Sequence, residues 1–133
     1  KDSTFDYLTC LGALEHFLDM DKGLQEMKRV GREDCKFCVV VPNVHFVGWL
    51  FRGKQGTEQR DIVERLLSLE QWRQLFVKNG FQVIAIHKDM WFMKFHITSL
   101  KGRLKRFFAK LIWYIIPLQW DYQFFFILWC RKV

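Results

Sequence analysis

Four cysteines and four histidines are the residues of this 133-residue chain best suited to hold a metal or move a proton near neutral pH. Cys35 and Cys38 have C-x-x-C spacing, half of a zinc site, but no second pair completes it, and Cys38 opens a strand-like run rather than the helix of a redox motif. Cys10 and Cys130 lie far from them, and three of the four thiols sit in apolar runs where burial is the ordinary expectation. No metal is therefore predicted, and a reducing, cytoplasmic compartment fits best. His16 directly follows Leu14 and Glu15. Its imidazole could serve as a base or a substrate ligand, the alternative being a structural histidine at the start of a helix. Asn43 and His45 precede an aromatic patch of Phe46, Trp49 and Phe51, and a second patch, MWFMKF, spans Met90 to Phe95. Both patches could wall or cover a small-molecule site, or could simply belong to the core.

Half of the residues are apolar, including 14 Phe and 6 Trp, which is ample for one core and incompatible with a disordered segment. The most apolar stretch, Phe107 to Leu118, is interrupted by Lys110 and Pro117, so no membrane-spanning helix is expected; nor does the start resemble a signal peptide. The net charge of +7 is uneven: residues 1–85 carry 12 basic and 12 acidic side chains, residues 86–133 carry 9 and 2. That basic field could attract phosphate, anionic lipid or an acidic substrate, or be a solvated helix face. No nucleic-acid reading motif accompanies it, and nucleic acid is not the expected partner.

The elements that must position these residues can be read from periodicity. Phe5 to Cys10 (FDYLTC) is strand-like. Asp19 or Asp21 can cap a helix reaching about Arg29, with Leu24, Met27 and Val30 as its apolar stripe and Gly31 as its stop. Lys36 to Val41 (KFCVVV) lacks polar alternation, as a parallel strand covered on both faces would, and Pro42 and Asn43 end it. Residues 44–65 have little pattern and read as a flap or insertion. Ser68 and Gln71 form a capping box ahead of Leu69, Trp72, Leu75 and Phe76; Asn79 and Gly80 stop that helix. Phe81 to His87 and Tyr122 to Cys130 are two more strands. Between them a basic amphipathic helix is predicted from Ser99 to Ile116, its stripe of Leu104, Phe108, Leu111 and Ile115 spaced to cover a sheet face; the alternative is a helix lying on a membrane surface. The alternation of strands and helices predicts a single α/β domain.

The stretch FDYLTCLGALEHFLDMDKGLQEMKRV resembles the fourth-strand signature of class I S-adenosylmethionine-dependent methyltransferases, through Asp6, Leu14, Glu15, His16, Asp19, Glu26, Arg29 and Val30. Val40, Val41, Pro42 and Asn43, then Asn79, Gly80 and Phe81, continue the order. One departure is Gly31 to Cys35 (GREDC), where the family usually has a Pro-Gly-Gly turn. The resemblance implies the carboxy-terminal half of a seven-stranded Rossmann-like sheet: strands four to seven, the last antiparallel between the fifth and sixth, with flanking helices. It implies S-adenosylmethionine as cofactor, contacted by the Cys10 backbone, Leu11 and Gly12, and a small-molecule methyl acceptor near Asn43, His45 and Trp49, with His16 as the candidate base. The glycine-rich loop and the acidic residue that bind the rest of the cofactor have no counterpart here, so competence would need the missing amino-terminal half.

Two other functions compete. One is a non-catalytic half-domain that binds a partner through its exposed first strand. The other is a membrane-surface methyltransferase with a lipid or isoprenoid acceptor, touching the bilayer through residues 99–116. An oligomer is compatible with either. A dinucleotide oxidoreductase is disfavoured by the strand order and the Leu-Glu-His segment.

Overall fold

A computed structural model describes residues 1–53, 55–56, 64–88, 100–121 and 123–130. Four strands, β1 (Phe5–Leu11), β2 (Gly31–Pro42), β3 (Phe81–Lys88) and β4 (Gln123–Cys130), form one sheet ordered β1-β2-β4-β3. β1 and β2 are parallel, with Cys10 opposite Val39. β4 runs antiparallel to both neighbours, placing Phe126 beside Val39 on one side and beside Ile86 on the other. This is the arrangement expected from the sequence: the last strand lies between the second and the third.

The helices follow their local signals. α1 (Met20–Val30) is capped by Asp19, whose carboxylate accepts from the Lys22 amide at 3.0 Å. Asp21, the other candidate cap, instead accepts from Lys78 and Asn79. A short α2 (Gly48–Arg52) forms inside the segment read as a flap. α3 (Leu69–Lys78) starts with both bonds of the Ser68–Gln71 capping box and ends where Gly80 takes a φ of 77°, a left-handed conformation that glycine adopts without strain. α4 (Leu100–Ile115) has the predicted span; Ser99, its expected cap, lies outside the described residues, as do Tyr122 and the patch Met90 to Phe95. Gly31 to Cys35, where the resemblance led us to expect a turn, is extended and part of β2, so α1 passes directly into the strand.

One face of the sheet is covered. Phe37, Val39, Val41, Phe124, Phe126 and Leu128 pack under Leu24 of α1 and Trp72 and Phe76 of α3. The rings interlock, Phe37 meeting Phe81 edge-on at 5.0 Å and Phe76 meeting Phe126 at 4.9 Å. Each such buried ring contributes about 1.5–3 kcal/mol relative to exposure. The opposite face is open at its margins: Tyr7 is 72% exposed and Leu11 61%.

α4 departs from expectation. Its stripe does not cover the sheet, since Leu104, Phe108, Leu111 and Ile115 are all more than half exposed. α1 and α3 already occupy the face that carries Phe124 and Phe126, and an apolar stripe records that a helix has one greasy side without recording what that side meets. Among the described residues no helix is long and apolar enough to cross a membrane.

Candidate functional site

The three mutually parallel strands bring their carboxyl ends to one rim, where open α/β sheets place their ligands. At the end of β1, Leu11 presents an exposed side chain. Gly12 then turns the chain at a φ of 60°, its amide donating to Val40 at 2.9 Å. A Cβ at Gly12 would meet only Glu15 Oε1, at 3.7 Å, so the left-handed backbone rather than crowding favours glycine there. Cys10, just before, is buried, and burial followed by the nearby Glu15 carboxylate pushes its thiol above the ordinary cysteine range. It is held as a neutral thiol, which suits packing and not nucleophilic attack.

Leu14 to His16 form a separate 3-10 turn rather than the first turn of α1. Glu15 is thus an acid in the first turn of that short 3-10 helix and not of α1. It is only 4% exposed, and its carboxylate is raised above the usual range, by burial first and also by Glu64, while the backbone hydrogen bond and His16 oppose the shift. His16 Nε2 lies 3.9 Å from Glu15 Oε1. Among the described residues neither Glu15 Oε2 nor His16 Nδ1 has a hydrogen-bond partner. The Arg65 amide donates to the Glu15 carbonyl at 3.0 Å and the Arg65 guanidinium donates to the Leu18 carbonyl at 2.9 Å, pinning the turn from the side.

After β2 the structure sets Asn43 apart from His45 and Trp49. Asn43 is fully buried; its amide donates to the Gln119 and Asp121 carbonyls, each at 2.7 Å, and its oxygen accepts from the His45 amide at 2.9 Å. Those bonds clamp the end of β2 to the turn before β4. Trp49 is also buried, donating from its indole to the Asn43 carbonyl at 3.0 Å and packing edge-on against Phe46. His45 is exposed, and it shares one depression with Trp49. It lines two neighbouring depressions, one of about 280 Å³ bounded by Phe46, Trp49 and Trp120, the other of about 480 Å³ bounded by Ser68, Glu70 and Trp120.

Trp120, shared by both, carries no local signal in the sequence beyond a polar turn; only the topology that starts β4 beside the end of β2 brings it here. Cys35 and Cys38, three apart on an extended strand, fall on opposite faces of β2, with Cys35 buried and Cys38 partly so. Among the described residues no cluster of His, Cys, Asp or Glu could hold a metal ion.

No family model matches the sequence, and no curated protein matches it either. Solved structures do match. An S-adenosylmethionine-dependent methyltransferase from Mesorhizobium loti superposes with a TM-score of 0.63 at 9% identity, covering 97% of this chain and 63% of that one. The fold is that of the S-adenosylmethionine-dependent methyltransferases. A second example is the Burkholderia thailandensis 1,6-didemethyltoxoflavin-N1-methyltransferase, solved with its namesake ligand and S-adenosylhomocysteine (TM-score 0.61, 12% identity, 99% of this chain and 46% of that one). The [4+2]-cyclase SpnF matches as well (0.62, 14%, 99% and 53%), so the methyltransferase fold alone does not dictate the reaction. This chain thus spans between 46% and 63% of the length of these three proteins.

Proposed function

We propose that this chain is the carboxy-terminal half, strands four to seven, of a class I methyltransferase that moves a methyl group from S-adenosylmethionine to a small-molecule acceptor. The observation that carries the reading is the antiparallel β4 inserted between β2 and β3, with β1 left as an edge strand whose carboxyl end carries Leu11 and Gly12. Among the described residues the sheet has an open face and β1 an unpaired side; both support the half-domain reading, because parallel strands are ordinarily covered on both faces and edges are ordinarily protected.

The residues present fit one part of the cofactor. Leu11 offers an exposed apolar surface for a flat base, and the Gly12 turn lets a ligand approach the backbone closely. The bound cofactor supplies an activated methyl carbon, so the protein's work is alignment and exclusion of water. His45 and Trp120 border the space over the end of β2 where an acceptor would lie, and Asn43 and Trp49 hold that border in place from beneath. For a hydroxyl acceptor, His16 is the group suited to take the proton, its Nε2 lying 3.9 Å from Glu15 Oε1.

Isothermal titration calorimetry with S-adenosylmethionine tests this reading. The protein with its natural upstream residues should bind, and residues 1–133 alone should bind weakly or not at all. In the longer protein Leu11→Asp should weaken binding at least about tenfold, because a carboxylate would be buried against an apolar part of the ligand. No binding by the longer protein would defeat the reading. Micromolar binding by residues 1–133 alone would overturn the division of labour between the halves.

A further inference from the structure

α4 is an amphipathic helix whose apolar side is left uncovered by the described residues. At 100° per residue Leu104, Phe107, Phe108, Leu111, Ile112 and Ile115 fall within an arc of roughly 140°. All six are 52% to 72% exposed. The same helix carries Lys101, Arg103, Lys105, Arg106 and Lys110 and not one acidic residue. By the same rotation the positions of Arg103 and Lys110 lie beyond one border of the apolar arc and that of Lys105 beyond the other, with Arg106 on the far side and Lys101, in the first turn, within the arc; basic positions at both borders suit a helix seated among lipid headgroups.

We propose that α4 is an interfacial helix that docks the protein onto an anionic lipid surface, its apolar arc entering the headgroup layer and its basic residues meeting the lipid charge. Charge selects this occupant. A second copy of the helix would bring five cations against five with no acid between them. An upstream half of the sheet would add at β1, whereas α4 follows β3 at the opposite edge, and its carboxyl end is tied there by the Lys88 ammonium donating to the Ile116 carbonyl. Docking also has a defined consequence for the rim. Pro117 leads directly from α4 to Trp120, whose carbonyl accepts from the Val47 amide at 3.2 Å and whose ring lines both depressions. A docked α4 holds those depressions at the lipid–water boundary. The acceptor drawn from that boundary is then an amphiphile with its polar end at His45 and its tail in the bilayer, a corollary that rests on the methyl-transfer reading; the docking itself does not.

The test is sedimentation of the protein with vesicles of equal parts phosphatidylcholine and phosphatidylglycerol, with pure phosphatidylcholine vesicles as the control. Retention on the mixed vesicles, little on the neutral ones, and release by raised salt are expected. Replacing Lys101, Arg103, Lys105 and Arg106 together by Gln should lower partitioning about a hundredfold or more. Phe107→Ser with Phe108→Ser should lower it about tenfold or more, and because both rings are exposed the fold should survive, as circular dichroism would confirm. Absence of retention on the mixed vesicles overturns the proposal. So does retention that neither salt nor the Gln replacements reduce, or a lipid-free dimer in sedimentation velocity that the two Ser changes dissolve. Calorimetry with S-adenosylmethionine on the Gln variant of the longer protein separates this outcome from failure of the methyl-transfer reading, since docking and cofactor binding use different residues.

Discussion

Glu15 combines deep burial, an oxygen without a partner and a histidine on its other side. Its carboxyl titrates higher in the folded chain than in the unfolded one, where the ordinary value is 4.5. Between those two values the folded state binds more protons, so stability is fully present below the unfolded value and declines as pH rises through the folded one. Glu15→Gln removes that decline. The variant should melt higher than the parent at about pH 7 and no differently at about pH 4, a comparison that scanning calorimetry makes directly. Equal melting temperatures at both pH values would mean that the carboxylate is not held in a hostile environment. The burial was not legible in the sequence: an acid between Leu14 and His16 looks like any acid near a helix start, and only the Gly12 turn folding back over it and Arg65 arriving from far along the chain enclose it. Asn43 escaped for the same reason, because both carbonyls to which it donates lie more than seventy residues away.

At the level of elements, local signals were read correctly wherever the physics is local. Asp19 and the Ser68–Gln71 box cap their helices through bonds spanning three residues. Asn79 shows what locality misses. Its place in an Asn-Gly stop is evident from sequence, yet its side chain also donates to Asp21 at 2.7 Å and accepts from Gln25 at 2.9 Å, fastening the end of α3 to α1. The Asn79 hydrogen bond, followed by the hydrogen bond and charge of Lys78, also holds the Asp21 carboxyl below its ordinary range. Asn79→Ala should destabilise the fold by about 2 kcal/mol, read from urea midpoints, because a nearly buried amide and its partners are left unmatched. Lys78→Ala, which removes only an exposed ion pair, should cost less than about 1 kcal/mol. The stripe of α4 was legible as a stripe; its exposure was not, because which faces remain vacant is settled only after α1 and α3 have packed.

For the whole molecule, the sheet is unequal from edge to edge. β2 and β4 are hydrogen-bonded on both sides and carry the buried residues Val39, Val41, Phe124 and Phe126, whereas β1 has one neighbour and exposes Phe5, Tyr7 and Leu11. Amide hydrogen exchange should therefore find β2 and β4 protected to the level of global unfolding, with β1 opening at lower free energy. Joining the natural upstream residues should raise protection in β1 above all other strands. Unchanged β1 exchange would show that no further strand pairs there. Strand order could be foreseen because the apolar runs and the Leu-Glu-His segment specify a known sheet, whereas the depressions beside His45 depend on a turn reaching across it, which no window of residues records.

The place of β4 also bears on how the protein is made. A ribosome delivers β2 and β3 well before Gln123, yet neither is the other's neighbour; β3 and the edge of β2 away from β1 must wait for a strand that has not been synthesised. Until then the nascent chain holds an open slot lined by Val39, Val41 and Phe81, ready to accept any extended segment, including the β4 of a neighbouring nascent chain. Translation halted anywhere between Lys88 and Gln123 leaves that slot vacant, so a chain stopped there should aggregate or be degraded where the finished chain folds.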